Sequence, residues 1–196
     1  MDYLSVMIEL IKVWDEEFFL WMNSFHAPWL DPVMFQLTKT LTWIPLYAFL
    51  LFKIYRHDSK NVLWVIGGVV LTILLSDQIT SGIMKPYFER LRPCHDPRWE
   101  GLVHLYGSCG GKYGFVSSHA ANTFGLATFL TLRMRALRPI MLWIYAYAFL
   151  VSYSRIYLGV HYPMDIFGGA VIGVLAGFFS WFIVGKVQNK GSIAPG

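Results

Sequence analysis

The sequence predicts an all-α polytopic membrane bundle, and three observations lead there. Hydrophobic residues fill 56% of the 196 positions and charged residues only 14%, against roughly 45–50% and about 25% in soluble domains. Five long apolar segments follow one another along the chain, each near the roughly 20 residues that cross a bilayer as a helix. No ten-residue alternating strand pattern appears, so the backbone is satisfied in lipid by helices, not by a barrel. This composition excludes a disordered chain. Two cysteines exclude a disulfide-rich scaffold, and 17 Gly with 9 Pro exclude a collagen-like one. Eight Trp within a 17% aromatic content fit anchoring at membrane interfaces. The net charge of +4 reads as cytoplasmic Lys and Arg, with no nucleic-acid partner implied.

The elements follow in order. Residues 1–32 are expected to form an interfacial amphipathic helix and a turn. Within Tyr3–Phe25, Trp14, Phe18 and Trp21 recur at helical spacing, but Asp15, Glu16 and Glu17 make a crossing costly. The segment is therefore placed in the interface, with a sixth span as the alternative. It lacks the basic start and unbroken apolar run of a signal peptide. Ala27-Pro28-Trp29-Leu30-Asp31-Pro32 turns into a bundle at 33–185. Its spans are Val33–Tyr55, Asn61–Met84, Ser118–Met134, Pro139–Ser154 and Met164–Val184. A loop at 85–116 carries both cysteines, Cys94 and Cys109. Residues 186–196 form a short cytoplasmic tail that should fray.

Charge suggests the orientation. Lys53, Arg56, Lys60, Arg133, Arg135, Arg138, Lys186 and Lys190 fall on one side with only Asp58 as an acid, which makes that side cytoplasmic by the positive-inside rule. The other side holds as many basic residues and the remaining acids, so the rule works once the basic residues of the motifs below are set apart. The 85–116 loop is then external. In an oxidising compartment Cys94 and Cys109 are candidates for a disulfide that would contribute about 3 kcal/mol.

Ionisable groups at span ends are functional candidates. Lys85 and Arg92 follow the second span, Ser117-Ser118-His119 opens the third, Ser154-Arg155 closes the fourth, and His161 and Asp165 open the fifth. In an up-down bundle these four places share one face, the outer one. Lys85, Arg92 and Arg155 supply positive charge suited to phosphate oxygens. The start of the third helix offers backbone N–H groups to an anion. His161 and Asp165, spaced i to i+4, can pair. The carboxylate then fixes the tautomer and leaves the other ring nitrogen free to attack. His119 is a second imidazole, able to protonate a leaving oxygen. An anion clamp, an oriented nucleophile and an acid together describe phosphoryl transfer through a phosphohistidine.

At these residues the chain resembles the type 2 phosphatidic acid phosphatase superfamily, the membrane lipid phosphate phosphatases that include phosphatidylglycerophosphate phosphatase B. Vanadium haloperoxidases share their site. The first family motif, Lys, six residues, Arg-Pro, is matched by Lys85 and Arg92-Pro93. The second, Pro-Ser-Gly-His, appears as Val116-Ser117-Ser118-His119, where Ser and His match and Pro and Gly do not. The third, Ser-Arg, five residues, His, three residues, Asp, is matched by Ser154-Arg155, His161 and Asp165. The resemblance implies that Lys85, Arg92, Arg155 and Ser117 hold the phosphate, with Ser118 able to add a hydroxyl. It makes His119 the general acid, His161 the nucleophile and Asp165 its partner, with no metal or cofactor.

The expected activity is hydrolysis of a terminal phosphate from a lipid at the outer face of a bacterial inner membrane. Undecaprenyl pyrophosphate is preferred as substrate; phosphatidylglycerophosphate, phosphatidic acid and lipid A are alternatives. A non-catalytic lipid-phosphate binder is a competing class. A soluble-type haloperoxidase conflicts with the spans. Other residues receive blander readings. Asp77 is read as buried beside Ser76, Lys39 as snorkelling to the interface, and Arg90 as a spare cation near the site. Tyr87, Phe88 and Trp99 are read as interfacial aromatics. His26, His57, His95 and His104 receive no role. Gly169, Gly173 and Gly177 form a helix-packing stripe with Asp165. Oligomeric state is left open.

Overall fold

The computed structural model describes residues 2–135 and 138–191, and every regular element in it is helical. The helices are α1 (Tyr3–Asn23), α2 (Asp31–Thr38), α3 (Ile44–His57), α4 (Val62–Asp77), α5 (Lys85–Phe88), α6 (Ser118–Arg133), α7 (Arg138–Tyr157) and α8 (Pro163–Gly191). Helix α6 is the centre. It is flanked by α4, α7 and α8, and its run from Ala120 to Leu130 is buried apart from Asn122.

Small residues allow that centrality. Gly169, Gly173 and Gly177 of α8 lie against the backbone of α6. A Cβ at Gly173 would collide with Ala121, and one at Gly177 would stand 3.0 Å from the Phe129 amide nitrogen. Where lipid provides no hydrophobic drive between helices, close van der Waals packing of this kind holds them together. The half of the bundle away from the α6 N-terminus closes around Phe129, Leu130, Met141, Ile144 and Val65, with Leu50 and Ile54 arriving from α3.

By length and composition, two helices among the described residues are apolar enough to cross a membrane: Ser59–Phe88 and Pro163–Asn189, with mean hydropathies of 2.0 and 2.1. The first expected span is not one straight helix. α2 and the segment Thr40–His57 meet at 77°, with Lys39 in extended conformation between them. Pro45 lies beyond the bend, inside the Thr40–His57 segment. It has no N–H to extend a helix from the preceding turn, yet it is well placed in the first turn of α3. The exposed Lys39 carries its ammonium over the Phe35 ring at 4.2 Å. The second span continues past Asp77 through a π-helical turn, Gln78–Met84, into α5. Pro86 lacks the N–H that would continue the ladder, and a widened turn is one way to absorb that gap. The tail expected to fray from Lys186 is instead helical to Gly191; residues 192–196 lie outside the described residues.

Helix α1 touches only one end of the bundle. Asp15 accepts from the Met164 N–H at 2.8 Å, Phe19 packs on Tyr162 and Ile156, and the Asn23 side-chain amide donates to the carbonyls of His104, Ile156 and Tyr157. These partners are the end of α7, the start of α8 and the loop above them. Along the rest of α1 an apolar side is exposed, including Tyr3, Leu4, Trp14 and Trp21.

Placing a leucine at Gly173 should separate α6 from α8. We expect Gly173→Leu to lower stability by about 1–3 kcal/mol or more, read as a drop in the unfolding midpoint of the detergent-purified protein.

Candidate active site

The site is assembled where four chain segments reach the same end of the bundle. The first is the exit of the second span. Lys85 donates to Ser118 Oγ at 2.9 Å and to Ser81 Oγ at 3.4 Å, and Ser118 Oγ also meets Thr80 Oγ1 at 2.8 Å. The hydroxyl that replaces the family glycine thus sits at the centre of a polar cluster. Asp77 is exposed, not buried beside Ser76. It accepts from Ser81 at 3.3 Å.

The second segment is the loop after α5. Glu89 ends the helix in the left-handed region, φ 46°, and the chain becomes extended. Leu91 pairs with Tyr113 in an antiparallel bridge, with Arg92 N–H on Lys112 O at 3.2 Å and Gly114 N–H on Arg90 O at 2.8 Å. Cys94 and Cys109 are disulfide-bonded with Cα atoms 6.0 Å apart. Gly114 is glycine for want of room: a Cβ there would stand 2.9 Å from Asp165 Oδ2 and 3.2 Å from Arg92 Cγ.

Helix α6 supplies the third segment. Ser117 caps it, accepting from Ala120 N–H at 3.5 Å, and its own N–H donates to the Asp165 carbonyl at 2.9 Å. That bond joins the starts of α6 and α8. Ser117 is fully buried.

The fourth is the turn from α7 to α8. Gly159 has φ +75°, and a side chain there would run into the His104 carbonyl, so glycine is required on both counts. The reversal puts Arg155, His161 and Asp165 together. His161 lies just ahead of α8, so it reaches Asp165 from the preceding turn and does not share its helix face. His161 Nδ1 is 3.2 Å from Asp165 Oδ2, and Nε2 is 3.3 Å from Arg92 Nη1. Both residues of the pair are almost fully buried. Burial, together with the positive charges of Arg92, Arg155, Lys85 and Arg90, pushes the His161 imidazole well below its ordinary pKa. A neutral ring with its Nδ1 proton on the carboxylate leaves the Nε2 lone pair available. Arg155 Nη1 donates to Thr38 Oγ1 at 2.8 Å. The positive charges of Arg155, Arg92 and Lys85 bear on His119.

His119, Ser118, Asp77 and Asn122 line the polar end of a cavity of about 600 Å³ whose remaining walls are mostly apolar, between α3, α4, α6 and α7. Tyr47 and Tyr147, bonded through their hydroxyls at 2.7 Å, lie on its wall.

Sequence reasoning missed the partners behind these groups. Arg90 is not a spare cation. It donates to Asp165 Oδ1 at 3.1 Å and to Asp15 Oδ2 at 2.7 Å and lies over the Tyr162 ring at 4.0 Å. Burial raises the Asp15 carboxyl, and the Arg90 charge opposes that shift. The acidic run of α1 was the signal, since Glu16 also pairs, with Arg98 at 2.7 Å. Trp99, read as an interfacial aromatic, donates to Tyr162 OH at 2.8 Å. His104 bonds Asp31 at 2.9 Å and stacks on His26. Among the described residues no group of three or more His, Cys, Asp or Glu is arranged to hold a metal ion.

Two predictions follow from this geometry. The disulfide closes a 15-residue separation, so Cys94→Ser should cost about 3 kcal/mol, read from denaturant unfolding with and without reductant. His161 binds its proton less readily when folded than when unfolded. Its contribution is therefore retained above about pH 6.5, the unfolded value, and is lost as pH falls below that. The wild-type unfolding midpoint should drop between pH 7 and 5 more steeply than that of His161→Asn.

Three comparisons bear on this arrangement. The family model for the PAP2 superfamily matches residues 66–189. A lipid A 4′-phosphatase of Bacteroides thetaiotaomicron is 37% identical over 187 residues, covering 94% of this chain and 83% of that protein. An undecaprenyl-diphosphatase of Sulfolobus acidocaldarius is 29% identical over 204 residues, covering 97% and 88%. The crystal structure of Aquifex aeolicus LpxE superposes with a TM-score of 0.65 at 28% identity, covering 84% of this chain and 92% of that one. The motifs, the helical architecture and these matches agree: the chain belongs to the PAP2 superfamily and is a membrane lipid phosphatase of that type.

Proposed function

We propose that the chain removes a phosphate from lipid A, or from a closely similar phosphorylated glycolipid, through a phosphohistidine on His161. The observation that carries the chemistry is the buried His161–Asp165 pair with Nε2 turned to Arg92. A protein that only holds a lipid phosphate needs cations, not an imidazole oriented by a carboxylate. The substrate rests on similarity. Lipid A is named in the more similar of the two relatives, at 37% identity, and undecaprenyl diphosphate in the less similar, at 29%.

In this reading the phosphate enters among Lys85, Arg92 and Arg155, with Ser117 and Ser118 adding hydrogen bonds. It draws the Arg92 guanidinium away from Nε2. The freed lone pair attacks phosphorus, the N–P bond forms, and the bond to the lipid oxygen breaks. His119, protonated once the incoming dianion offsets the cations around it, gives its proton to that oxygen. Water then gives a proton to His119, attacks phosphorus and breaks the N–P bond, releasing inorganic phosphate and restoring His161. The mechanism calls on no metal. The apolar cavity beneath His119 is suited to acyl chains. We take α1 to lie in the interface, the five apolar segments to cross, and the site to face the periplasm, a compartment in which a Cys94–Cys109 disulfide persists.

The test is phosphate release by the purified protein in detergent with chelator present. Lipid A, undecaprenyl pyrophosphate, phosphatidylglycerophosphate and phosphatidic acid are assayed side by side. We expect lipid A to be fastest, the chelator to have no effect, and His161→Ala to lower turnover at least about a thousandfold while remaining folded. Near-normal release by His161→Ala would overturn the chemistry, and a faster rate with another lipid would overturn the substrate.

A further inference from the structure

We infer that Arg90 and Asp15 are positioning residues for the reaction, and that helix α1 thereby forms part of the catalytic apparatus. The inference rests on His161 being the nucleophile. Asp165 uses its two oxygens differently. Oδ2 faces His161 Nδ1 at 3.2 Å and accepts the Tyr162 N–H at 3.1 Å, while Oδ1 accepts from Arg90 at 3.1 Å. The guanidinium therefore sets the rotation of the carboxylate that orients the ring. Arg90 is itself held from the far side by Asp15 at 2.7 Å and from its face by Tyr162. Asp15, 5% exposed, turns its other oxygen to the Met164 N–H at 2.8 Å, in the first turn of α8. One carboxylate of α1 thus braces both the side chain behind Asp165 and the backbone of the helix that carries it.

The charges support the assignment. Without Arg90, Asp15 and Asp165 would be two buried carboxylates facing a common gap, and one of them would take up a proton or move. A protonated or rotated Asp165 is a poorer acceptor for Nδ1–H. Arg90 donates to Asp15 and Asp165 and lies over Tyr162, while Lys85 and Arg155 meet Ser118 and Thr38, which line the cavity. Loss of Arg90 should therefore impair turnover and leave substrate binding nearly intact.

Steady-state kinetics in detergent on the best substrate separates these effects, with unfolding midpoints measured for every variant. Arg90→Gln should lower kcat at least tenfold with KM within about twofold, and Arg90→Lys should recover part of the loss. Asp15→Asn keeps an acceptor for the Met164 N–H but loses the charge. It should lower kcat severalfold, by more than any loss of folded protein accounts for. The inference fails if Arg90→Gln keeps wild-type kcat, if its KM rises as far as its kcat falls, or if activity declines only in step with folded protein. His161→Ala run in parallel keeps the two readings apart. Activity in that variant would sink the phosphohistidine mechanism, whereas an inactive His161→Ala beside a fully active Arg90→Gln would sink the positioning role alone.

Discussion

The site depends on backbone contact between α6 and α8. Gly169, Gly173 and Gly177 lie against carbonyls and Cα atoms of α6, and the seam ends at the hydrogen bond from Ser117 N–H to the Asp165 carbonyl. His119 follows one side of that bond and His161 precedes the other. Their relative placement is therefore fixed by main chain, which has far fewer alternative positions than a pair of side chains would. The glycines pack the membrane interior, and in doing so they set the register of the two imidazoles at its edge.

Electrostatics adds a second constraint. Lys85, Arg92 and Arg155 converge near two imidazoles, and Arg155 meets a hydroxyl, not an acid, at its nearest described contact. Such a concentration of positive charge opposes protonation of His161 and favours an incoming dianion. Arg90 and Arg92, two residues apart in an extended stretch, lie on one side of the chain. One meets the carboxylate and the other the imidazole. The intervening Leu91 makes the bridge to Tyr113 that holds both in place.

Much of this could be read in the sequence, for a physical reason. Residues that are costly at a membrane edge stand out against an apolar background, and the parity of the spans assigns them to a common face. Lys85, Arg92, His119, Arg155, His161 and Asp165 were all visible in that way. Less visible were features that depend on three-dimensional direction. The bend at Lys39 needed the turn geometry of residues 38–45, not hydropathy. The partner of Arg90 lay 75 residues away in each direction, beyond the reach of any spacing rule. Asp15 reads in sequence as a cost of inserting α1, whereas its cost is offset by Arg90 from the loop after α5. Asp77 was assigned to packing because it lay in an apolar run, but that run lines a cavity.

The distance along the chain between Asp15 and Met164, 149 residues, also bears on biogenesis. At about 5–20 residues per second of synthesis, α1 emerges roughly 7–30 s before the helix it braces exists. Through that interval Asp15, Phe19 and Asn23, buried against the bundle end in the finished protein, have nothing to rest on. Assembly of the centre is therefore a last act of translation, completed when the start of α8 arrives beneath a helix made first.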